Sequence, residues 1–95
     1  MLLFVGLGRM GFPMAQHALR AGLDVRGYDV TAERMALFEK ADGRTVTDLA
    51  VSFREADAIM IMTGSQAQVH ALFHEAGGIL ACAKPGTLVM VISTV

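Results

Sequence analysis

Three glycines near the start of the chain have a spacing suited to binding a phosphate group. The pattern G-x-G-x-x-G is formed by Gly6, Leu7, Gly8, Arg9, Met10 and Gly11. In such a pattern Gly6 permits a tight turn, Gly8 leaves room for a diphosphate beside the backbone, and Gly11 lets a helix pack closely on a sheet. The N–H groups of Arg9, Met10 and Gly11 would then point at the phosphates from the positive end of the helix dipole.

The residues around the motif supply the context that the pattern needs. Leu2–Val5 is a continuous apolar run that predicts a buried strand directly before the glycines. Helical spacing begins at Met10, and Asp29 stands 18 residues after Gly11, at the end of the next predicted strand. The sequence therefore predicts a dinucleotide site, in preference to a strand-turn-helix connection that binds nothing.

Asp29 indicates which dinucleotide binds. A carboxylate accepts hydrogen bonds from both adenosine ribose hydroxyls of NAD and repels the 2′-phosphate of NADP, so NAD is the predicted cofactor. Arg26 and Arg34 are cations that could reverse this preference, although Val30, and no arginine, directly follows Asp29. For Asp29 alone, a simple turn residue is an almost equally good interpretation.

Strand-like and helix-like hydrophobic periods alternate along the chain. The predicted strands are Leu2–Val5, Asp24–Asp29, Arg44–Val46, Ala58–Met62 and Thr87–Ile92. The first predicted helix begins at Met10 and ends at Gly22, and the second covers Thr31–Lys40 with Thr31 as its N-cap. The third is capped by Thr47 or Asp48 and ends at Glu55. The fourth covers Gln66–Glu75 and is followed by a short turn at Ile79–Ala83. This order predicts an α/β fold: a three-layer, Rossmann-like open parallel sheet with helices on both faces.

Composition narrows the function further. The chain has 95 residues, 54% hydrophobic, and a net charge of −1, which fits one domain and disfavours nucleic acid or an acidic membrane surface as a partner. The apolar runs are too short to span a bilayer. Because the single cysteine, Cys82, cannot form an internal disulfide, we expect a cytoplasmic protein.

The motif and its surroundings resemble the amino terminus of the β-hydroxyacid dehydrogenases, which include 3-hydroxyisobutyrate, tartronate semialdehyde and 6-phosphogluconate dehydrogenases. The resemblance rests on residues 6–15 (GLGRMGFPMA), residues 19–22 (LRAG), Tyr28-Asp29, the turn at residues 84–86 and the pair Ser93-Thr94. It covers essentially the whole chain. It implies oxidation of a hydroxyl β to a carboxylate in a small 3-hydroxy acid, hydride transfer to a nicotinamide, and a homo-oligomer.

The same resemblance implies roles for single residues. The glycine motif would hold the diphosphate, Asp29 the adenosine ribose, Thr94 the nicotinamide ribose and Ser93 the substrate carboxylate. Thr63 would border the cofactor after the fourth strand. No residue matches the family's catalytic lysine, which the resemblance places beyond residue 95 with the last strand or strands and a helical substrate domain. We therefore expect residues 1–95 to be a partial NAD(P)-binding Rossmann domain that binds cofactor without turnover.

Two positions depart from the family pattern. Thr63-Gly64 stands where the family usually has a Leu-Pro pair beside the cofactor. Val91 stands two residues before Ser93, where the family usually has an aspartate, and an apolar residue there suits burial. These departures concern the nicotinamide side of the expected site.

The remaining polar candidates favour structural interpretations. His70 and His74 are spaced to grip a metal with Glu75, but a solvated helix face is the preferred interpretation and no metal is expected. Lys40 and Lys84 are expected to be solvated rather than catalytic.

Apolar candidates are assigned to the core. The methionines predicted as core packing are Met10, Met14, Met60, Met62 and Met90. On the first helix, Ala18 and Ala21 continue the face of Met10 and Met14. Cys82 is predicted to be a buried thiol.

A second functional class stays open. The fold also suits a stand-alone, non-catalytic nucleotide-binding or interaction module. We expect the last strand to present an exposed apolar edge, which favours self-association.

Overall fold

The computed structural model describes residues 1–62 and 65–92. Its strands are β1 (Leu2–Val5), β2 (Val25–Tyr28), β3 (Arg44–Thr45), β4 (Ala58–Ile61) and β5 (Leu88–Val91). Its helices are α1 (Gly11–Arg20), α2 (Ala32–Lys40), α3 (Leu49–Glu55), α4 (Gln66–His74) and α5 (Ile79–Cys82). The predicted element order is confirmed, with most ends displaced by about one residue and a short helix, α5, in place of the predicted turn.

The five strands form one parallel sheet in the order β3-β2-β1-β4-β5. β1 is central, since Leu3 lies opposite Arg26 of β2 on one side and Ile59 of β4 on the other. The chain thus winds outward from β1 in both directions, and the order reverses between β1 and β4. In open parallel sheets a ligand crevice lies at the carboxyl ends of the strands at this reversal. The predicted Rossmann-like α/β fold is confirmed.

Helices cover both faces of the sheet. On one face Leu3, Ile59 and Ile61 pack against residues of α3 and α5, including Phe53 and Ile79. On the other face the core consists of residues from the strands, the turn after β1, α1 and α2: Phe4, Leu7, Ala15, Val25, Phe38 and Met60. The apolar residues of the central strands β1 and β4 are largely buried on both faces, as continuous hydrophobic runs in parallel sheets predict.

The orientation of α1 differs from the prediction. The expected inward face contained Met10 and Met14, yet these side chains are 46% and 38% exposed, and the helix buries Gly11 and Ala15. The close approach of Gly11 to the preceding turn fixes the rotation of the helix, so a stripe centred on Gly11 and Ala15 faces the sheet.

The methionines of the sheet also divide. Met60 is buried as predicted, whereas Met90 of β5 is exposed together with Leu88 and Val91. The helices α1 and α2 contact β1 and β2, which lie toward the opposite edge of the sheet from β5. Val89 packs against the core, but the other three apolar side chains of this edge strand are exposed, as the sequence predicted for this edge. The predicted core positions of Met10, Met14 and Met90 are wrong.

Two glycines make room for the largest side chain of the α2 layer. A Cβ atom on Gly27 or Gly43 would lie 2.8 Å or 2.5 Å from Cε2 of Phe38, whose side chain is fully buried. Glycine inside β2 therefore reflects close packing of a helix on the strand. This packing fixes α2 beside the end of β2.

Side-chain caps and left-handed glycines set several boundaries. Asp48, one of the two predicted caps of α3, accepts a hydrogen bond from the N–H of Val51 at 3.2 Å. Gly22 and Gly86 have φ values of 84° and 85°, which L side chains rarely adopt. They end α1 and form the turn before β5, as predicted.

A charge cluster lies at the amino ends of β1 and β4. The Asp57 carboxylate contacts both the amino group of Met1 and, at 2.7 Å, Nζ of Lys84. These contacts lower the pKa of Asp57 from 3.8 to about 2, first through the hydrogen bond from Lys84 and then through the one from the amino group. The Lys84 side chain is 45% exposed, which agrees with the expected solvation, but its pairing with an acid 27 positions away was not predicted.

No helix among residues 1–62 and 65–92 is long and apolar enough to cross a membrane.

Candidate functional site

A cleft of about 770 Å³ opens at the carboxyl edge of the sheet. One wall is the glycine turn between β1 and α1, and the opposite wall begins at Asp29, after β2. The apolar remainder is formed by side chains of α3 and α4, namely Leu49, Ala50, Phe53, Ala71 and Leu72. The size and the mainly apolar lining with few polar groups are typical of cofactor pockets.

The turn after β1 requires glycine at two positions for different reasons. Gly6 has a φ of 110°, in the region that glycine alone adopts without strain. A Cβ atom on Gly11 would lie 2.1 Å from the carbonyl oxygen of Gly6, closer than any real side chain could stand. The turn and the first residue of α1 are therefore in backbone contact.

Gly8 has a different environment. A Cβ atom there would meet the guanidinium of Arg34, at 2.8 Å from Nη1 and 3.7 Å from Cζ, and no other described atom within 4 Å. Gly8 thus faces the cleft, where only the movable end of a long side chain stands over it.

The backbone after Gly8 presents donors that lack acceptors. Among the described residues, no hydrogen bond is donated by the N–H groups of Gly8, Arg9, Met10 or Gly11. No side chain caps α1 at Met10, and the first turn of α1 has no acidic residue. Helix N-termini with unsatisfied N–H groups and a positive dipole end are suited to bind anions.

Asp29 joins the two walls of the cleft. Its Oδ2 accepts a hydrogen bond from the N–H of Leu7 at 2.8 Å, and its Oδ1 accepts one from the N–H of Thr31 at 2.9 Å. Asp29 therefore points toward the glycine turn. Each carboxylate oxygen keeps further acceptor capacity, since the group has about four lone-pair sites.

Thr31 precedes α2, as predicted, but its side chain forms no capping hydrogen bond. The backbone N–H of Thr31 is bound instead by Asp29. The predicted capping role of the Thr31 side chain is therefore wrong, and the start of α2 is tied to the cleft by the acid at position 29.

Arg26 and Arg34, the two cations that could reverse the predicted preference for NAD, lie in different places in the structure. Arg26 lies 3.3 Å from Asp24, away from the cleft, whereas Arg34 lines the cleft. Arg9 also lines it. The position of Arg34 over Gly8 and the bond between Asp29 and Leu7 were not predicted, because both depend on how α2 sits beside the turn.

The other candidates fall elsewhere. Thr63, Ser93 and Thr94 lie outside the described residues. Val91 is exposed, so the expected burial of this position is wrong.

The remaining single-residue candidates lie outside the glycine turn. The rings of His70 and His74 stack with centroids 4.2 Å apart, and in the described part of the chain no third ligand joins them. Cys82 is buried, as predicted.

Comparison with known proteins identifies the family. The sequence profile of the NAD binding domain of 6-phosphogluconate dehydrogenase matches residues 2–95. The chain belongs to this family. L-threonate dehydrogenase of Escherichia coli K12 is 38% identical over 92 residues, which are 96% of this chain and 30% of that enzyme. The chain thus spans about a third of the length of the relatives that it matches.

Solved structures show the same arrangement. A 3-hydroxyisobutyrate dehydrogenase from Salmonella typhimurium superposes with a TM-score of 0.82 and 34% identity, over 98% of this chain and 32% of the other. Psf3 in complex with NADP+ and 2-OPP superposes with a TM-score of 0.89 and 25% identity, over 100% of this chain and 34% of the other. Both of these solved structures share the fold of the chain over nearly its whole length, and one of them holds NADP+.

Proposed function

We propose that this chain is the dinucleotide-binding part of an NAD-dependent β-hydroxyacid dehydrogenase that oxidises a small 3-hydroxy acid. When bound, the nicotinamide supplies the hydride acceptor. The chain's own residues bind and orient the cofactor, and no catalytic residue is proposed among the 95. The proton-accepting lysine of the family has no counterpart here, so the chain by itself binds cofactor without turnover.

The observation that carries the proposal is the run of N–H groups from Gly8 to Gly11 that have no acceptor among the described residues. A diphosphate supplies anionic acceptors to such a run, and the positive end of α1 adds favourable electrostatics. The only described atoms that a Cβ on Gly8 would meet belong to the flexible Arg34 side chain, which can move to admit a phosphate. The residues present therefore fit a dinucleotide diphosphate.

Asp29 supports NAD over NADP. The remaining lone pairs of its carboxylate suit the two hydroxyls of an adenosine ribose, and its negative charge opposes a 2′-phosphate. The two backbone hydrogen bonds to Asp29 hold the carboxylate in place before any ligand arrives. Adenine would then lie against the apolar side chains of α3 and α4.

The nicotinamide half involves residues outside the described part of the chain. We propose Thr63 and Thr94 as contacts of that half and Ser93 as a contact of the substrate carboxylate. We also propose a cytoplasmic homo-oligomer for the whole protein.

Isothermal titration calorimetry of the chain with NAD and NADP tests the proposal. We expect one saturable site, with NAD binding about tenfold or more tightly than NADP because Asp29 opposes the extra phosphate. Circular dichroism of the same sample shows whether it is folded. A folded sample without heat from either nucleotide would contradict the proposal, and equal affinities would contradict the NAD preference.

A further inference from the structure

The guanidinium of Arg34 stands over the part of the glycine turn where a phosphate would approach. Nη1 of Arg34 would lie 2.8 Å from a Cβ atom on Gly8, and no other described atom faces that position within 4 Å. Arg34 belongs to α2, which Phe38 packs tightly against Gly27 and Gly43. The side chain therefore reaches across the cleft from a fixed helix to the opposite wall.

Arg34 has no anionic partner in the described part of the chain. The ion pairs found there involve only the carboxylates of Asp24 and Asp57, both away from the cleft. Asp29 is close in sequence, but its two oxygens are turned to the N–H groups of Leu7 and Thr31. A cation without a partner thus faces a run of N–H groups without acceptors.

We propose that Arg34 binds the diphosphate of the dinucleotide from the side opposite the glycine turn. The inference rests on the proposed function, because it adds a residue to the same site. Backbone N–H groups and the helix dipole would hold one side of the diphosphate, and the guanidinium would neutralise charge on the other. A planar guanidinium with several donors suits phosphate oxygens well.

This assignment differs from a role for Arg34 at the 2′-phosphate of NADP. The guanidinium lies against Gly8, at the turn, where a group common to NAD and NADP would bind. A diphosphate contact stabilises both nucleotides equally, whereas a 2′-phosphate contact stabilises NADP alone. The two roles therefore predict different affinity patterns.

The test compares Arg34→Ala, Arg34→Lys and the control Arg20→Ala, an exposed arginine at the end of α1 outside the cleft. Calorimetry would measure the affinities for NAD, NADP and ADP-ribose. We expect Arg34→Ala to weaken all three by a similar factor of about ten or more, because each contains the diphosphate. Arg34→Lys should recover part of the loss, and Arg20→Ala should bind like the wild type.

Salt dependence supplies a second readout. If Arg34 neutralises the diphosphate, the affinity of Arg34→Ala for ADP-ribose should fall less steeply with salt than that of the wild type, since one screened ion pair is missing. Equal salt dependence would contradict the inference.

Several outcomes would overturn the inference. A loss confined to NADP would assign Arg34 to the 2′-phosphate, and unchanged affinities would leave it a surface side chain. A gain in affinity would show that the guanidinium blocks the turn. In each case the wild type still binds NAD and the proposed function stands, whereas a wild type that binds no dinucleotide would remove both.

Discussion

The two edges of the parallel sheet differ in how their polar groups are satisfied. At the amino edge, the Asp57 carboxylate pairs with both the amino group of Met1 and the ammonium of Lys84. At the carboxyl edge, the N–H groups of residues 8–11 and the guanidinium of Arg34 lack partners among the described residues. We expect the first arrangement to affect folding, and the proposed function assigns the second to binding of a dinucleotide.

The contrast teaches where substitutions should change stability and where they should change binding. Polar groups satisfied within the chain affect unfolding, whereas unsatisfied donors in a cleft affect affinity. Gly11 is the exception, because it lies at the carboxyl edge yet is in contact with backbone.

Replacing Gly11 should have the largest effect. In Gly11→Ala the new Cβ would stand 2.1 Å from the Gly6 carbonyl, so the turn and α1 must separate. We expect a loss of about 3 kcal/mol or more in the free energy of unfolding, measured by urea denaturation, together with loss of NAD binding. Gly77→Ala is the control, since its Cβ would make an ordinary 3.4 Å contact with Ala50. Equal stability of the two variants would refute the backbone contact.

Replacing Gly8 should separate binding from stability. The only described atoms near a new Cβ belong to the flexible Arg34 side chain, so Gly8→Ala should unfold within about 0.5 kcal/mol of the wild type. The added methyl group enters the space of the diphosphate, and NAD affinity should fall about tenfold or more by calorimetry. If Gly8→Ala loses stability and keeps its affinity for NAD, the prediction that Gly8 serves binding rather than folding is wrong.

Asp29 and Asp24 sharpen the comparison, because they flank β2 at opposite edges. Asp29→Asn removes part of the hydrogen bonding to Leu7 and Thr31, so we expect a loss of about 1 kcal/mol in stability. It should also weaken NAD and reduce the discrimination against NADP, as calorimetry with both nucleotides would show. Asp24→Asn should leave both affinities unchanged, and an equal effect of the two substitutions would argue against a ribose contact for Asp29.

Replacing Asp57 should change the stability of the fold and not the affinity for NAD, and the stability effect should depend on pH. Its pKa is lowered from 3.8 to about 2 in the folded chain, so its contribution is present above 3.8 and is lost as the pH falls toward 2. Asp57→Asn should therefore have a lower Tm than the wild type at neutral pH, and this difference should shrink as the pH is lowered from 3.8 to about 2. NAD affinity should not change.

The exposed Asp42 provides the control for this experiment. It has a positive φ of 69°, which asparagine tolerates, and it forms no ion pair in the described residues. A melting difference for Asp57→Asn that persists unchanged to pH 2, or one equal to that of Asp42→Asn, would contradict the role of the amino-edge cluster.

The sequence predicted the parts of the site that depend on local backbone. Gly6, Gly11 and the strand-turn-helix context determine the turn through their own conformations, and they were found without knowledge of the rest of the fold. The alternation of buried strands and helices likewise determined the order of elements, because each period is local.

The missed features depend on contacts distant in sequence. Lys84 pairs with Asp57 because the turn before β5 returns to the start of β4. Met10 and Met14 were assigned to the core by spacing alone, whereas the contact of Gly11 with Gly6 determines the rotation of α1. Arg34 reaches Gly8 because Phe38, on the same helix, packs α2 against Gly27 and Gly43.

The most direct test of the account follows the backbone amides of the chain by ¹H–¹⁵N NMR while NAD is added. The account predicts the largest shifts at the N–H groups of Gly8, Arg9, Met10 and Gly11, with little change at Asp57 and its neighbours. Saturation by NAD with those amides unmoved, or shifts centred on the amino edge, would contradict the claim that the glycine turn binds the diphosphate.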